Sequence, residues 1–270
     1  MSDPNRGTII DIVKERYGAI ADGKQFGTCC GGAGSEQHAL GMGYEAADLA
    51  VLPDEANLGL GCGAPIGHLA LKPGETVVDL GSGAGIDAFL AARAVGTQGK
   101  VIGVDMTPSM LAKARANAQR AGFTQVEFRE GRLEALPVAD GTVDAVTSNC
   151  VINLVPDKAD VFREISRILK VGGRMAISDI VLDATLPEAV VKDVYAYVGC
   201  ISGAILREEY LAMLRDAGFD RVTIAKDIDY LAAAGDSLDD PVAETIRRNG
   251  LTMADIAGKV RSITFTAVKR

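Results

Sequence analysis

Apolar and polar residues alternate along this chain in a pattern that predicts repeated strand–helix–strand units. Short apolar runs at 76–80, 100–105, 126–129 and 143–149 have the length and composition of buried strands, and segments with helical spacing separate them. Strands that alternate with helices are joined by crossover connections, so they pair in parallel and their helices cover the sheet. The pattern therefore predicts an α/β fold with a mostly parallel sheet of about seven strands flanked by helices.

Further elements are predicted around these strands from apolar spacing, caps and breakers. They are helices at 8–21, 87–95, 107–122 (Thr107 as cap, Pro108 first, Gly122 at the end) and 157–170 (Asp157 as cap, closed at Gly172-Gly173), a strand at 174–182, helices near 187–198 and 207–217, a strand at 222–224, a weaker helical pattern at 241–260 and a strand at 262–268. Two stretches, 23–34 and 57–65, are rich in glycine or turn-forming residues and are expected to be irregular, the first of them mobile.

Composition and charge narrow the class of protein. The chain has 270 residues, of which 48% are hydrophobic, and a net charge of −8 that would repel a phosphate-rich partner, so nucleic acid is not expected as a ligand. No apolar run approaches the roughly 18 residues of a spanning helix, and the first residues, Met1-Ser2-Asp3-Pro4, lack a basic region followed by an apolar one. We expect a cytoplasmic protein without a membrane partner.

The cysteines are odd in number, and apart from one adjacent pair they are widely spaced. They are Cys29, Cys30, Cys62, Cys150 and Cys200. No CxxC spacing occurs, so neither a disulfide framework nor a zinc ribbon nor a thioredoxin-like motif is indicated. Buried cysteines often only fill space. However, Cys62 lies in a glycine-rich loop and Cys150 follows a predicted strand, and these positions favour a chemical role.

A glycine-rich loop joins the first strand to the helix that follows. In Asp79-Leu80-Gly81-Ser82-Gly83-Ala84-Gly85 the glycines allow a ligand to approach the backbone. The dinucleotide motif G-x-G-x-x-G would need its third glycine at position 86, which is Ile86, so an NAD site is not supported. Asp105 ends the second strand, where its carboxylate can accept hydrogen bonds from two ribose hydroxyls.

An acidic residue followed by G-x-G-x-G resembles the motif of the Rossmann-like class I methyltransferases, which bind S-adenosylmethionine. The resemblance implies that Asp79 lies near the ammonium or sulfonium of this ligand. The implied cofactor-binding residues are Asp79, Gly81, Ser82, Gly83, Gly85, Asp105, Met106, Leu133, Glu134 and Asn149. Relatives often carry an acidic residue where this chain has Arg132, so Leu133 and backbone groups are the expected adenine contacts.

The methyl acceptor is indicated by the cysteine segments. The two histidines, His38 and His68, both precede the first strand, so a histidine general base is not supported. A soft acceptor such as trivalent arsenic prefers thiolate sulfur and needs no base to expose its lone pair. The segments 57–65, 148–154 and 197–204 resemble cysteine segments of the arsenite methyltransferases, and this resemblance covers about residues 8–225 and the last strand.

The resemblance implies an enzyme that transfers a methyl group from S-adenosylmethionine to trivalent arsenic, as part of arsenic detoxification. Cys150 and Cys200 would hold arsenic in line with the methyl group, and Cys62 would be a third thiolate or exchange into a disulfide. Cys29 or Cys30 would be the redox partner, although both remain open as incidental exposed thiols. Thioredoxin or glutathione would be the thiol reductant.

The same resemblance divides the chain into three parts. Residues 1–70 would form an N-terminal extension with a helix and cysteine-bearing loops, 71–182 the S-adenosylmethionine-binding core, and 183–270 a C-terminal subdomain with one substrate cysteine and the final strands. Two alternatives remain open: a methyltransferase for a small organic acceptor of the quinone or sterol type, and a nonenzymatic arsenite sensor or scavenger.

Overall fold

A computed structural model describes residues 5–24, 35–53, 55–191, 203–230 and 246–270. Within these residues a seven-stranded sheet has the order β3-β2-β1-β4-β5-β7-β6. The strands are β1 (Thr76–Leu80), β2 (Lys100–Asp105), β3 (Val126–Glu130), β4 (Val143–Asn149), β5 (Leu169–Leu182), β6 (Phe219–Asp229) and β7 (Val260–Lys269). Neighbouring strands from β3 to β5 pair in parallel, and β7 is antiparallel to both β5 and β6. The mostly parallel α/β sheet predicted from the sequence is confirmed.

Helices cover the sheet and precede it. They are α1 (Asn5–Ala21), α2 (Ser35–Met42), α3 (Ala46–Leu49), α4 (Ile86–Val95), α5 (Pro108–Ala121), α6 (Lys158–Ile168), α7 (Glu188–Val191) and α8 (Arg207–Asp216), with 3-10 turns at Pro65–His68, Ile152–Leu154 and Met253–Asp255. Among the described residues, no helix has the length and apolar character that crossing a membrane requires.

The central elements follow the sequence pattern closely, because each buries a regular apolar face. The strands β1, β2 and β4 have the predicted bounds, and their apolar residues form core clusters that include Val78, Val101 and Val146. Helix α5 begins after Thr107 and ends at Gly122, which has φ 73. Thr107 makes no side-chain cap bond, and its backbone N–H donates to Asp105 Oδ1 at 2.8 Å.

Two predicted boundaries were wrong. Helix α6, capped by Asp157 as predicted, ends at Ile168 rather than at 170, because Leu169 already pairs with Val143 of β4 and begins β5. Gly172, with φ 78, therefore lies inside a strand. Strand β6 is much longer than the predicted 222–224. Among the described strands it pairs with β7 alone, and it is largely half-buried or exposed, so its polar sequence lacks the apolar signal of a central strand.

The C-terminal part contributes β6 and β7 to the same sheet as the central strands. Of the helices predicted near 187–198 and at 241–260, only the parts at 187–191 and from 246 onward lie within the described residues. Residues 246–248 are helical, and the chain enters β7 at Val260. The glycine-rich stretch 23–34 lies outside the described residues beyond position 24, as do Cys29, Cys30 and Cys200.

The carboxyl ends of the parallel strands meet at one edge of the sheet, where ligands of open α/β sheets bind. Leu80 of β1 lies opposite Ser148 of β4, and Asn149 at the end of β4 lies opposite Ser178 of β5. This register places the loop after β1 beside Cys150 and beside the last third of β5.

Candidate active site

The loop after β1 is fixed to β2 by backbone hydrogen bonds. The N–H groups of Gly81 and Ser82 donate to the carbonyl of Val104 at 2.7 and 3.1 Å. Gly81 and Gly85 have φ values of 66 and 104, a region that favours glycine. A Cβ on Gly83 would meet no described atom closer than 4.0 Å, so this residue borders open space in which a ligand can approach the backbone.

Three carboxylates lie around this loop, and the most buried of them is Asp79. One of its carboxylate oxygens has no hydrogen-bond partner among the described residues. Burial raises the pKa of Asp79 well above its usual range, and the nearby Asp87 and Asp105 raise it further. Burial also raises the pKa of Asp87 to about 6, although hydrogen bonds with Tyr44 and Asn149 lower it. A cationic ligand fits this place, because it would stabilise the charged forms that burial disfavours.

Asp105 joins the end of β2 to the glycine loop. Its Oδ2 accepts from the N–H of Gly83 at 3.0 Å, and its Oδ1 accepts from the N–H of Thr107 at 2.8 Å. Burial raises the pKa of Asp105, and these hydrogen bonds lower it. Met106, next in the chain, is half-buried and packs against the apolar cluster that contains Cys62 and Cys150. The structure thus brings the expected loop residues, Asp79, Asp105 and Met106, to one place.

Leu133, the expected adenine contact, and Glu134, another expected cofactor-binding residue, lie after β3. Leu133 is 5% exposed and belongs to the main apolar core. Glu134 is half-buried and accepts a hydrogen bond from Arg132 at 2.7 Å. Arg132 is therefore engaged by an acidic neighbour, so the positive charge at this unusual position is partly neutralised.

Two thiols that are far apart in sequence meet beyond the ends of β4 and β5. Cys62 and Cys150 are buried, and their Sγ atoms and one carboxylate oxygen of Asp179 all lie within 4.8 Å of one another. Two sulfurs bound to one thiophilic ion through bonds of about 2.3 Å lie roughly 3.5–4 Å apart. A small movement therefore allows both thiols to share one ion.

The backbone at and beside both cysteines departs from regular secondary structure. Cys150 has φ 61, unusual for a residue other than glycine, and its N–H donates to the carbonyl of Ser178 at 2.8 Å. Cys62 has a glycine on each side, since a Cβ on Gly63 would collide with the hydroxyl of Ser178 and one on Gly61 would lie 2.9 Å from the amide nitrogen of Asn149. The Gly-Cys-Gly segment lets the chain pass close to β4 and β5.

Asp179 is held by hydrogen bonds on both carboxylate oxygens. The Tyr210 hydroxyl donates to Oδ2 at 3.0 Å, and the N–H of Ile180 donates to Oδ1 at 3.0 Å. Burial raises the pKa of Asp179 to about 7, and the charge of buried Lys158 lowers it. Burial and the Asp179 charge also raise the pKa of Tyr210 well above its usual range. A carboxyl group that titrates near neutrality can exchange protons with ligands bound at the adjacent thiols.

Several polar residues of the site were missed by the sequence analysis. Asp179 left a signal, because it is a lone acid within the apolar run of β5, whereas Tyr210 resembled an ordinary core residue of α8. Tyr44 and Asp87, whose side chains hydrogen-bond at 2.9 Å, lie in segments whose contact the sequence does not reveal. Of the predicted cysteines, the structure brings together Cys62 and Cys150.

Comparisons with known proteins agree with this architecture. The family described as "Methyltransferase domain" matches residues 71–218, which is 148 residues (218 − 71 + 1) and more than half of the chain. An arsenite methyltransferase of Halobacterium salinarum is 48% identical over 229 residues, covering 80% of this chain and 58% of the relative. One of Aquipseudomonas alcaligenes is 41% identical over 150 residues, covering 53% of this chain and 43% of the relative. This chain thus spans less than two thirds of the length of either relative.

A solved structure is also similar. It is the crystal structure of an arsenic(III) S-adenosylmethionine methyltransferase from Chlamydomonas reinhardtii, which superposes with a TM-score of 0.68 at 33% identity over 83% of this chain and 72% of that one. The shared sheet, the glycine loop and the level of identity lead to one assignment. The chain belongs to the methyltransferase domain family, in the group that contains the arsenite methyltransferases.

Proposed function

We propose that this protein is an S-adenosylmethionine-dependent methyltransferase that methylates trivalent arsenic bound by cysteine thiolates, for the detoxification of arsenic. The observation that carries the proposal is the convergence of the Cys62 and Cys150 sulfurs with Asp179 within 4.8 Å, at the sheet edge that also bears the glycine loop. The activities named for the similar proteins support the same reaction.

Arsenite binds by ligand exchange at the buried thiols. In each exchange an As–O bond breaks, an As–S bond forms, and the thiol proton leaves with the hydroxide as water. With a thiol conjugate of arsenite the same proton leaves on the released thiol. Asp179 is close enough to the pair to carry that proton, and its pKa of about 7 suits the transfer. Burial of the two sulfurs also keeps water away from the bound arsenic.

Cys200 is proposed as a further thiolate of the site. It lies outside the described residues, but the described chain resumes three residues later at Gly203, and Ala204 packs in the same apolar cluster as Cys62 and Cys150. Four residues span at most roughly 14 Å, so the length of chain before Ala204 permits a thiolate at position 200 to reach the pair. Three thiolates would form a closed pyramidal site around arsenic.

The methyl donor would bind at the loop after β1. S-adenosylmethionine supplies a methyl group activated by its sulfonium. Asp79 would lie near the cationic end of the ligand, and Asp105 would accept hydrogen bonds from the ribose hydroxyls. The backbone beside the ligand would be that of Gly81, Ser82, Gly83 and Gly85. Leu133, Glu134 and Met106 would border the adenosine. The unpartnered oxygen of Asp79 and the open space at Gly83 support this placement.

Transfer then depends mainly on orientation. The arsenic lone pair forms a bond to the methyl carbon while the carbon–sulfur bond of the sulfonium breaks, and no proton moves in this step. The thiolates fix arsenic in line with that bond, so proximity supplies most of the acceleration. Return of the product to the trivalent state requires two electrons, which two thiols supply by forming a disulfide. Cys62 with Cys29 or Cys30 is the proposed pair, and thioredoxin or glutathione would reopen it.

Arsenic methylation tests this function directly. Purified protein is incubated with arsenite, a thiol and isotopically labelled S-adenosylmethionine, and the arsenic species are separated and identified. We expect labelled methylarsenicals from the wild type and none from Cys150→Ser, with unchanged affinity of that variant for S-adenosylmethionine. A Cys150→Ser protein with full activity, or a wild type that consumes no cosubstrate when arsenite is added, would refute the proposal.

The named activities of the similar proteins do not favour an organic acceptor or a nonenzymatic sensor. In addition, a sensor would leave the glycine loop and its unpartnered carboxylate unexplained.

A further inference from the structure

We propose that Asn149 is a positioning residue that sets the distance between the Cys62 and Cys150 thiols by clamping the Cys62 segment with its side-chain amide. The proposal rests on the function proposed above and deepens it, because it names what holds the arsenic-binding pair in register. It differs from the role expected from the sequence, in which Asn149 contacts the cosubstrate.

The clamp consists of two hydrogen bonds to the backbone of two consecutive residues. The Asn149 Oδ1 accepts from the N–H of Cys62 at 3.0 Å, and its Nδ2 donates to the carbonyl of Gly63 at 2.7 Å. One amide thus joins the end of β4 to a segment that lies 87 residues earlier in the sequence. Because Cys150 is the next residue after Asn149, the clamp links the two thiol-bearing residues through a single peptide bond.

The orientation of the Asn149 amide is fixed by its other partners. Its Nδ2 also donates to the Tyr44 hydroxyl at 2.9 Å, and that hydroxyl donates to Asp87 Oδ1 at 2.9 Å. A flipped amide would turn its oxygen toward the carbonyl of Gly63 and its nitrogen toward the N–H of Cys62, and both contacts would be repulsive. The network therefore selects one orientation of the clamp.

Packing supports the same role. A Cβ on Gly61 would lie 2.9–3.1 Å from the end of the Asn149 side chain, so the segment runs directly against the amide. On the other side, the Ser262 hydroxyl donates to the Cys62 carbonyl at 2.6 Å. Cys62 is consequently held at its N–H by the end of β4 and at its carbonyl by β7, while Cys150 is held at its N–H by Ser178 of β5.

The clamp predicts a larger effect on arsenic binding than on cosubstrate binding. A trivalent arsenical with two exchangeable positions, such as phenylarsine oxide, binds two thiols at once with release of one water. Its affinity therefore depends on the distance between the two sulfurs. The measurement uses the full chain with Cys29, Cys30 and Cys200 replaced by serine, so that only the Cys62–Cys150 pair remains.

In this background we expect Asn149→Ala to weaken phenylarsine oxide binding by about tenfold or more, since loss of the clamp frees the Cys62 segment. Affinity for S-adenosylmethionine, measured by calorimetry, should fall by a much smaller factor, because Asn149 acts on that site only through its hydrogen bond with Asp87. Asn57→Ala is the matched control. Its Oδ1 accepts from the N–H of Gly59 at 3.0 Å, a hydrogen bond that stays within residues 57–59 of the same segment, so that variant should bind phenylarsine oxide like the parent.

Tyr44→Phe provides a second variant if Asn149→Ala does not fold. It keeps the clamp atoms and removes the hydroxyl that orients them, so it should weaken phenylarsine oxide binding by a smaller factor. The proposed role of Asn149 is wrong if whichever of the two variants folds binds phenylarsine oxide with unchanged affinity. It is also wrong if that variant loses affinity for the cosubstrate but still binds phenylarsine oxide. Either result leaves the proposed function standing. A parent that does not bind phenylarsine oxide through both thiols overturns the proposed function as well.

Discussion

At the scale of residues, several carboxyl groups whose burial costs free energy lie at one edge of the sheet. Asp79, Asp87 and Asp179 are buried carboxyl groups, and burial raises the pKa of each. Groups placed at such cost are typical of binding and catalytic sites, because ligands stabilise charge states that the protein alone disfavours. Asp79 and Asp87 border the proposed cosubstrate, and Asp179 borders the thiols.

Asp105 gives a direct test of the cosubstrate site. We expect Asp105→Ala to weaken S-adenosylmethionine binding by about tenfold or more, because two hydrogen bonds from ribose to a charged group are lost. Calorimetric titration measures the effect. Asp220→Ala, at the edge strand β6, is the control and should bind normally. Equal affinity of the two variants would show that Asp105 does not contact the ligand.

The raised pKa values near the loop predict that cosubstrate binding releases protons. At pH 6 a part of Asp87 is protonated in the ligand-free protein, since burial raises its pKa to about 6, and the raised pKa of Asp79 acts in the same direction. A bound cation lowers both pKa values, so protons leave and the affinity rises as the pH increases through 6. Calorimetry in two buffers of different ionisation enthalpy measures the released protons. Uptake of protons, or no exchange at pH 6, would contradict this assignment.

At the scale of elements, local signals were predictable and contacts between distant segments were not. The glycine loop and Asp105 lie within one strand–helix–strand unit, so their sequence spacing identified them. By contrast, the contact of Cys62 with Asn149 joins segments 87 residues apart, and only the folded sheet reveals it. The predicted boundary between α6 and β5 was wrong, because Leu169 pairs with β4 although the helical pattern of the sequence continues to position 170.

The Gly-Cys-Gly segment should be the element most sensitive to small substitutions. Gly63→Ala places a Cβ against the Ser178 hydroxyl, whereas Gly67→Ala in the following 3-10 turn meets no described atom within 4 Å. We expect Gly63→Ala to lower the free energy of unfolding by roughly 1–3 kcal/mol and to reduce arsenic methylation strongly, because overpacking displaces Cys62. Denaturant titration and the methylation assay compare the two variants. If Gly63→Ala behaves like Gly67→Ala in both, the segment does not pass as closely to β5 as described.

At the scale of the whole molecule, the buried carboxyl groups make the free energy of unfolding depend on pH. The pKa of Asp179 is about 7 in the folded protein against 3.8 for an ordinary aspartate, so the folded state retains a proton that the unfolded state loses. This contribution is complete below pH 3.8 and is lost as the pH rises through 7. Its size is on the order of 4 kcal/mol at most, from about 1.36 kcal/mol per pKa unit.

Asp179→Asn removes this titration. We expect the variant to gain stability relative to the wild type as the pH increases from about 4 to 7, by a few kcal/mol or less. Denaturant unfolding of both proteins across that range measures the difference. A difference that is independent of pH would mean that Asp179 is already ionised in the folded protein.

The central claim is that Cys62 and Cys150 bind one arsenic atom together, and X-ray absorption at the arsenic edge tests it most directly. The arsenite-loaded enzyme, free of external thiol, should show arsenic bound by sulfur, and Cys62→Ser and Cys150→Ser should each lose one sulfur neighbour. Unchanged sulfur coordination in both variants, or arsenic bound only by oxygen in the wild type, would contradict the account.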